Sequence, residues 1–179
     1  LRSMQQAVYQ PDNIGHYGLS YNHYLHFTSP IRRYPDLIVH RCIVHILQRD
    51  NKKRHLYTPK DLVQLGHHCS MVEKRADYAS RDVMAWLKCC FMQQHIGATF
   101  EGIITSVTNF GLFVEIPHLA VDGLVHISML SGDYYHFDHS TQVLVGEDSG
   151  KRLQIGMSVT ICVERADIAN KQIDFSLVY

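Results

Sequence analysis

Apolar residues in this chain follow two periods, and the change falls near residue 96. Between 37 and 47 they occupy nearly every side, interrupted only by His40, Arg41 and His45, which predicts a largely buried helix. Pro35 suits the first helical position, where a missing N–H costs nothing, and Asp36 suits the positive end of the helix dipole. Residues 48–57 are polar and basic and predict a loop. Thr58-Pro59-Lys60-Asp61 combines a capping hydroxyl, a first-turn proline and an acid three residues on, which predicts a helix start. Ser70-Met71-Val72-Glu73 has the same spacing and offers a second start. From there Val72, Ala76, Ala79, Val83, Leu87 and Cys90/Phe91 recur every three to four residues, with Glu73, Lys74, Arg75, Asp77, Arg81 and Asp82 on the other side. This is the clearest amphipathic helix of the chain, and it is predicted to end near Gly97.

Beyond Gly97 the period becomes that of strands. Residues 100–107, 113–116, 121–127, 157–165 and 172–178 carry five strand signals rich in β-branched residues, with turns between them. Five short strands in sequence predict a small closed barrel. The fold class expected is therefore α+β, with a helical domain at 1–96 and a barrel domain at 97–179. Ahead of the helices, Pro11-Asp12-Asn13 and Gly15 signal turns, and the aromatic-rich residues 18–27 suit short extended segments.

Composition narrows the function. The 179 residues are 46% hydrophobic, enough for packed cores, and the formal net charge is zero. A chain without excess positive charge cannot hold nucleic acid by bulk electrostatics, so any such binding must rest on local patches and stacking. Patches exist at Arg32-Arg33, Lys52-Lys53-Arg54, Lys74-Arg75 and Lys151-Arg152, although charge runs commonly mark solvated faces. The five cysteines (Cys42, Cys69, Cys89, Cys90 and Cys162) are odd in number and form no Cys-x-x-Cys, which suggests neither a disulfide framework nor a zinc ribbon. Such cysteines make a reducing cytoplasm the expected location, and no membrane partner is expected, because no apolar run reaches the roughly 18 residues of a membrane span. Thirteen histidines raise the question of a metal site, but His67-His68 and His136/His139 lack the Cys/His spacing of zinc ligands. The opening run from Leu1 reads as the middle of a longer protein.

Two stretches carry candidate chemistry. In His26-Phe27-Thr28-Ser29-Pro30-Ile31-Arg32-Arg33-Tyr34-Pro35-Asp36, two guanidinium groups are set between two prolines. Arg offers a planar fork of donors that matches a phosphate, and proline lowers the freedom such a loop must lose on ordering. The plainer reading is a surface loop whose arginines pair with carboxylates. In the barrel half, Phe110 and Phe113 flank a turn into the second strand and His126 ends the third. Small Greek-key barrels bind oligonucleotides on strands two and three, where rings stack on unpaired bases. The plainer reading makes one of the two phenylalanines a core residue.

Residues 97–104, the run Asn109-Phe110-Gly111-Leu112-Phe113-Val114, Asp122-Gly123-Leu124-Val125-His126-Ile127-Ser128 and the closing Lys171-Gln172-Ile173-Asp174-Phe175-Ser176-Leu177 together resemble the S1-type RNA-binding domain, an OB-fold barrel. The resemblance covers about 97–179 and implies an RNA-contact cluster of Phe110, Phe113, His126, Asp167 and Lys171. The segment from Asp133 to Arg152, with Tyr134, Tyr135, His136 and Phe137, is long for that domain. The arginine-bearing run, followed by His40-Arg41, resembles the signature of the ribonuclease II/R (RNB) family. With an S1-type domain directly after it, the whole chain resembles the C-terminal part of such an exoribonuclease: the helical end of an RNB catalytic domain followed by a five-stranded barrel.

That resemblance implies hydrolytic, processive 3′-to-5′ degradation of single-stranded or structured RNA to nucleoside 5′-monophosphates. It implies Arg32 at the scissile phosphate, with Arg33 as runner-up or as a structural partner of a carboxylate such as Asp36, and Tyr34 packing or stacking beside them. Residues His40 and Arg41 read as structural. It also implies magnesium ions held by clustered aspartates. Two-metal hydrolysis needs closely spaced carboxylates, and this chain has no Asp-Asp or Asp-x-Asp pair. The ligands are therefore expected outside the chain, with no metal held by its own residues, and the polypeptide alone is expected to bind RNA, as a monomer, without hydrolysing it. The competing expectation is a non-catalytic module for single-stranded RNA, in which the helical half is scaffold.

Overall fold

The structure, a computed structural model, describes residues 7–48 and 56–179. The opening run from Leu1, the Lys52-Lys53-Arg54 patch and most of the loop expected at 48–57 lie outside the described residues. The chain divides into two compact units, Leu1–Ala79 and Ser80–Tyr179. The division falls inside a long helix rather than at the change of sequence period.

In the first unit, an irregular segment with one short 3-10 turn (Tyr17–Leu19) leads into helix α1, Tyr34–Leu47. The helix starts one residue earlier than Pro35, which lies in its first turn, and Arg33 is the flanking residue. The prediction of a largely buried helix is corrected: only Asp36 and Ile38 are buried, while Ile43, Val44, Ile46 and Leu47 are exposed. The cause is local. The loop before the helix packs on its first turns, through Phe27 stacked on His40 with ring centroids 4.3 Å apart and His40 Nε2 bonded to the Phe27 carbonyl at 2.9 Å.

Helix α2 spans Pro59–Met92. Its predicted start is present as a reciprocal cap. The Asp61 carboxylate accepts the Thr58 N–H at 2.9 Å and the Thr58 hydroxyl at 2.7 Å, and the Thr58 oxygen accepts the Asp61 N–H at 3.2 Å. The second start at Ser70 does not exist, and the helix runs through it. The Ser70 hydroxyl donates instead to the Gly66 carbonyl, one turn back, at 2.9 Å and accepts the Tyr9 N–H at 2.8 Å. The segment around Tyr9 crosses the helix so closely that a Cβ on Gly66 would lie 2.5 Å from the Tyr9 carbonyl oxygen.

In the second unit, the last turns of α2 bury Cys89 and Met92 in a core shared with the barrel. The stripe read from sequence points elsewhere, with Val83, Leu87 and Phe91 exposed. A 3-10 turn (Gln93–His95) and a Gly97 N–H bond to the Val163 carbonyl at 2.8 Å then fix the entry into the first strand.

The strands are β1 (Thr99–Thr108), β2 (Gly111–Ile116), β3 (Val121–His126), β4 (Tyr135–Asp138), β5 (Val143–Gly146), β6 (Arg152–Leu153), β7 (Ser158–Asp167) and β8 (Gln172–Val178). Five of them close a barrel in the order β1-β2-β3-β8-β7, the arrangement of an OB-fold. The β3–β8 pairing is parallel and the other pairings that close the ring are antiparallel. Alternation sends Leu112, Val114 and Ile116 of β2, and Val121 and Val125 of β3, inward onto Ile104, Ile161, Val163 and Phe175. The five barrel strands coincide with the five strand signals in the sequence.

Gly123 has no side chain because the Phe175 ring occupies that space, 2.4 Å from where a Cβ would sit. Gly123→Ala is expected to destabilise the barrel by about 1–3 kcal/mol, the usual cost of overpacking a core around a ring that cannot swing away. Urea unfolding followed by circular dichroism measures it, and an unchanged midpoint would refute the expectation.

The long segment between β3 and β7 folds as a three-stranded sheet in the order β4-β5-β6. Its inner side, with Leu144 and Leu153, joins the barrel core. Asp133 ties its loop, accepting the Tyr134 N–H at 2.7 Å, the Asp148 N–H at 3.0 Å and the Ser149 N–H at 2.9 Å, together with the Ser149 hydroxyl. The Ser149 hydroxyl and the backbone donors hold the Asp133 carboxyl down at about 2. No helix among the described residues is long and apolar enough to cross a membrane.

Candidate nucleic-acid interface

The outer side of β2 and β3 carries the residues that point away from the core: Phe113 and Glu115 on one strand, and Asp122, Leu124 and His126 on the other. Register sets Phe113 opposite Leu124 and Gly111 opposite His126. Phe110 sits in the β1–β2 turn, its carbonyl accepting the Ile127 N–H at 2.9 Å, so the turn is tied to the end of β3. Phe110 is 45% exposed and meets Phe113 edge-on, with centroids 6.0 Å apart at 88°. The structure therefore brings Phe110, Phe113 and His126 into one cluster. His126 Nδ1 accepts the Ser128 N–H at 3.2 Å and lies 2.7 Å from the Ser128 hydroxyl. A backbone N–H can only donate, so the neutral ring carries its proton on Nε2 and presents a donor.

Asp167 and Lys171 lie at the hairpin joining β7 and β8. The Asp167 side chain is only 14% exposed and accepts from the Asn170 N–H at 3.0 Å, the Asn170 side-chain amide at 3.0 Å and Arg165 at 2.6 Å. The Asn170 donors lead in holding its carboxyl below the usual carboxylate range. Its visible work is to shape the turn that positions Lys171, whose ammonium pairs with Asp82 of α2. Three residues not singled out as contacts in the sequence share the outer side: Leu124 pairs with Asp174, and Asp174 pairs with Arg165. This placement depends on the barrel closing through β3–β8 and on a register shift between Val163 and Arg165, neither of which leaves a local mark in the sequence.

The arginine run belongs to the first unit. Ser29 begins a tight turn, its carbonyl accepting the Arg32 N–H at 3.2 Å and the Arg33 N–H at 2.9 Å. Asp36, 0% exposed, accepts the Ser29 N–H at 2.8 Å and the Arg33 guanidinium at 2.8 Å, so one carboxylate ties the turn and its second arginine to α1. Burial pushes Asp36 upward, but the Ser29 amide and the Arg33 guanidinium together outweigh it and hold the carboxyl below its usual value. The Arg33 side chain is 24% exposed. Arg32 and Tyr34 are exposed, and among the described residues the Arg32 guanidinium has no hydrogen bond or ion pair. The two adjacent arginines thus differ, one engaged by a buried acid and the other presented outward. His40, stacked on Phe27, anchors the loop.

Among the described residues, no three His, Cys, Asp or Glu side chains stand together to hold a metal ion. The described donor set therefore does not fit the magnesium ions that the family resemblance implies, and no chemical step through them follows from these residues.

Two family models match the chain, the RNB domain over residues 1–49 and the S1 RNA binding domain over 93–177. The class is thereby defined: an RNB ribonuclease segment followed by an S1-type, OB-fold barrel. Within that class the chain is similar to the corresponding part of ribonuclease R. Ribonuclease R of Escherichia coli (strain K12) is 49% identical over 99% of this chain, which corresponds to 23% of that protein. The apo form of Mycoplasma genitalium RNase R superposes with a TM-score of 0.88 at 28% identity, covering 99% of this chain and 28% of that one. The same enzyme in complex with ribose methylated single-stranded RNA matches equally, with a TM-score of 0.88, 28% identity and the same 99% and 28% coverage. The chain spans about a quarter of the length of the curated relatives it matches.

Proposed function

We propose that this chain is the RNA-gripping, C-terminal portion of a processive, hydrolytic 3′-to-5′ exoribonuclease that acts on single-stranded or structured RNA and releases nucleoside 5′-monophosphates. The observation that carries the reading is the outer side of β2 and β3, where Phe110, Phe113 and His126 stand together. The exposed Phe110 ring and the half-buried Phe113 ring stack on unpaired bases, His126 Nε2 offers a hydrogen bond, and Lys171 supplies positive charge for the phosphates. Asp167 is assigned a base N–H or a ribose hydroxyl. Single strands are favoured over duplex, because stacking requires bases that can splay out. The Mycoplasma relative, which has been seen with single-stranded RNA, supports this ligand class.

In the RNB portion, Arg32 is assigned to the scissile phosphate, where a fixed guanidinium stabilises charge building on the phosphoryl oxygens. Arg33, tied to Asp36, holds the loop, and Tyr34 flanks it. Magnesium ions of the full-length enzyme are assigned to carboxylates outside this chain. The chain alone is therefore proposed to bind RNA without cleaving it. The domain boundary is proposed at 96/97, the location is the cytoplasm, and the protein is taken to be a monomer.

The test uses the purified 179-residue chain, a labelled unstructured oligoribonucleotide and the matching duplex. Preferential binding of the single strand with no mononucleotide released in magnesium is the expected result. Robust magnesium-dependent release by the pure chain would overturn the assignment of the metal ligands, and failure to bind any RNA would overturn the function.

A further inference from the structure

The β7–β8 hairpin presents a cation that is already engaged. Asp167 gathers both donors of Asn170, and Lys171 follows at a left-handed φ of 54°, directly ahead of β8. From there its ammonium reaches α2 and pairs with the Asp82 carboxylate. Asp82 is not placed there by chance of side-chain motion. It lies two helical turns before Cys89, hence on the same side of α2, and Cys89 is buried in the barrel core. A second pair, Lys88 of α2 with Asp122 of β3 at 2.7 Å, fixes the same stretch of helix against the barrel. The Asp82–Lys171 pair itself is open to water, with the acid 59% and the lysine 33% exposed. Such pairs are weak and screened by salt, so a phosphate can take the ammonium from the carboxylate.

We infer that Asp82 sets the affinity of the barrel for single-stranded RNA by competing with a backbone phosphate for Lys171. The inference rests on the reading that this barrel binds RNA. Lys171 precedes by three residues the Asp174 position that pairs with Leu124, which in turn lies opposite Phe113, so the masked cation borders the ring-bearing surface. While Asp82 holds Lys171, the rings bind with one fewer phosphate contact. When RNA displaces the carboxylate, the contact is completed at the expense of a tie between α2 and the hairpin.

The test is a double-mutant cycle in the 179-residue chain, titrated with a short oligouridylate over a range of salt. Asp82→Asn is expected to tighten binding on the order of fivefold at low salt and to steepen the salt dependence by about 0.7, the increment of one added single-strand phosphate contact. Lys171→Ala should remove that gain, so that Asp82→Asn has no effect in its background. An unchanged affinity for Asp82→Asn, or the same gain with and without Lys171, overturns the inference. In either case a large loss on replacing Phe110 and Phe113 leaves the RNA-binding reading standing. No loss on that replacement sinks the reading and the inference together.

Discussion

Replacing Phe110 and Phe113 together with alanine is expected to weaken binding of unstructured RNA by roughly 30-fold or more. Stacking on an aromatic ring is worth about 1–3 kcal/mol per base, and about 1.4 kcal/mol is a factor of ten in affinity. The two rings meet edge-on, so the single replacements should not add, and each should disturb the seat of the other. The fold should survive, because the inward side of β2 is made by Leu112, Val114 and Ile116 while Phe110 lies in an exposed turn. Fluorescence anisotropy with a labelled oligonucleotide, alongside circular dichroism, separates the two effects. Slopes of affinity against salt should stay as in the parent chain, since no phosphate contact is removed. Unchanged affinity with the fold intact would move the contact surface off this side of the barrel. Sequence preference should be slight, as every base offers a π-face.

The barrel was legible because its strands announce themselves locally. Alternation along 111–116 and 121–126 assigns Leu112, Val114, Val121 and Val125 to the inside without knowledge of any partner strand. The cluster of Phe110, Phe113 and His126 was legible for the same reason, since a short turn and one antiparallel register bring them together. What depends on closure was not. Arg165 and Leu124 share the outer side only through the parallel β3–β8 pairing and the shift after Val163. The helices were harder. The all-round apolar run of α1 and the apolar stripe of α2 are exposed over much of their length, and the residues of α2 that do enter a core, Cys89 and Met92, are set by how the last turn feeds β1. Ser70 shows the same limit at one residue. Its capping-box spacing is satisfied on paper, yet its hydroxyl is taken by the Gly66 carbonyl and the Tyr9 amide.

In a full-length enzyme carrying this segment, Arg32→Ala is expected to lower turnover on the order of 100- to 1,000-fold, the usual cost of removing one preorganised donor at a developing oxyanion. RNA affinity should change only a few-fold, because a long single strand keeps its many other contacts. The neighbouring arginine makes the comparison informative. Arg33 is held by Asp36, which is 0% exposed, so Arg33→Ala strands a buried carboxylate. Its cost should appear as lost stability of roughly 2–4 kcal/mol, below the full range for buried pairs because Arg33 is itself partly exposed. The turn at Ser29 hangs on the same carboxylate, so Arg33→Ala should also misplace Arg32 and lower turnover indirectly. Thermal unfolding, single-turnover cleavage and equilibrium binding on both variants distinguish the roles. Equal losses of turnover and affinity for Arg32→Ala would make it a simple binding residue. Full stability with lost turnover for Arg33→Ala would exchange the two assignments, placing the phosphate contact on the arginine that leaves Asp36 when RNA arrives.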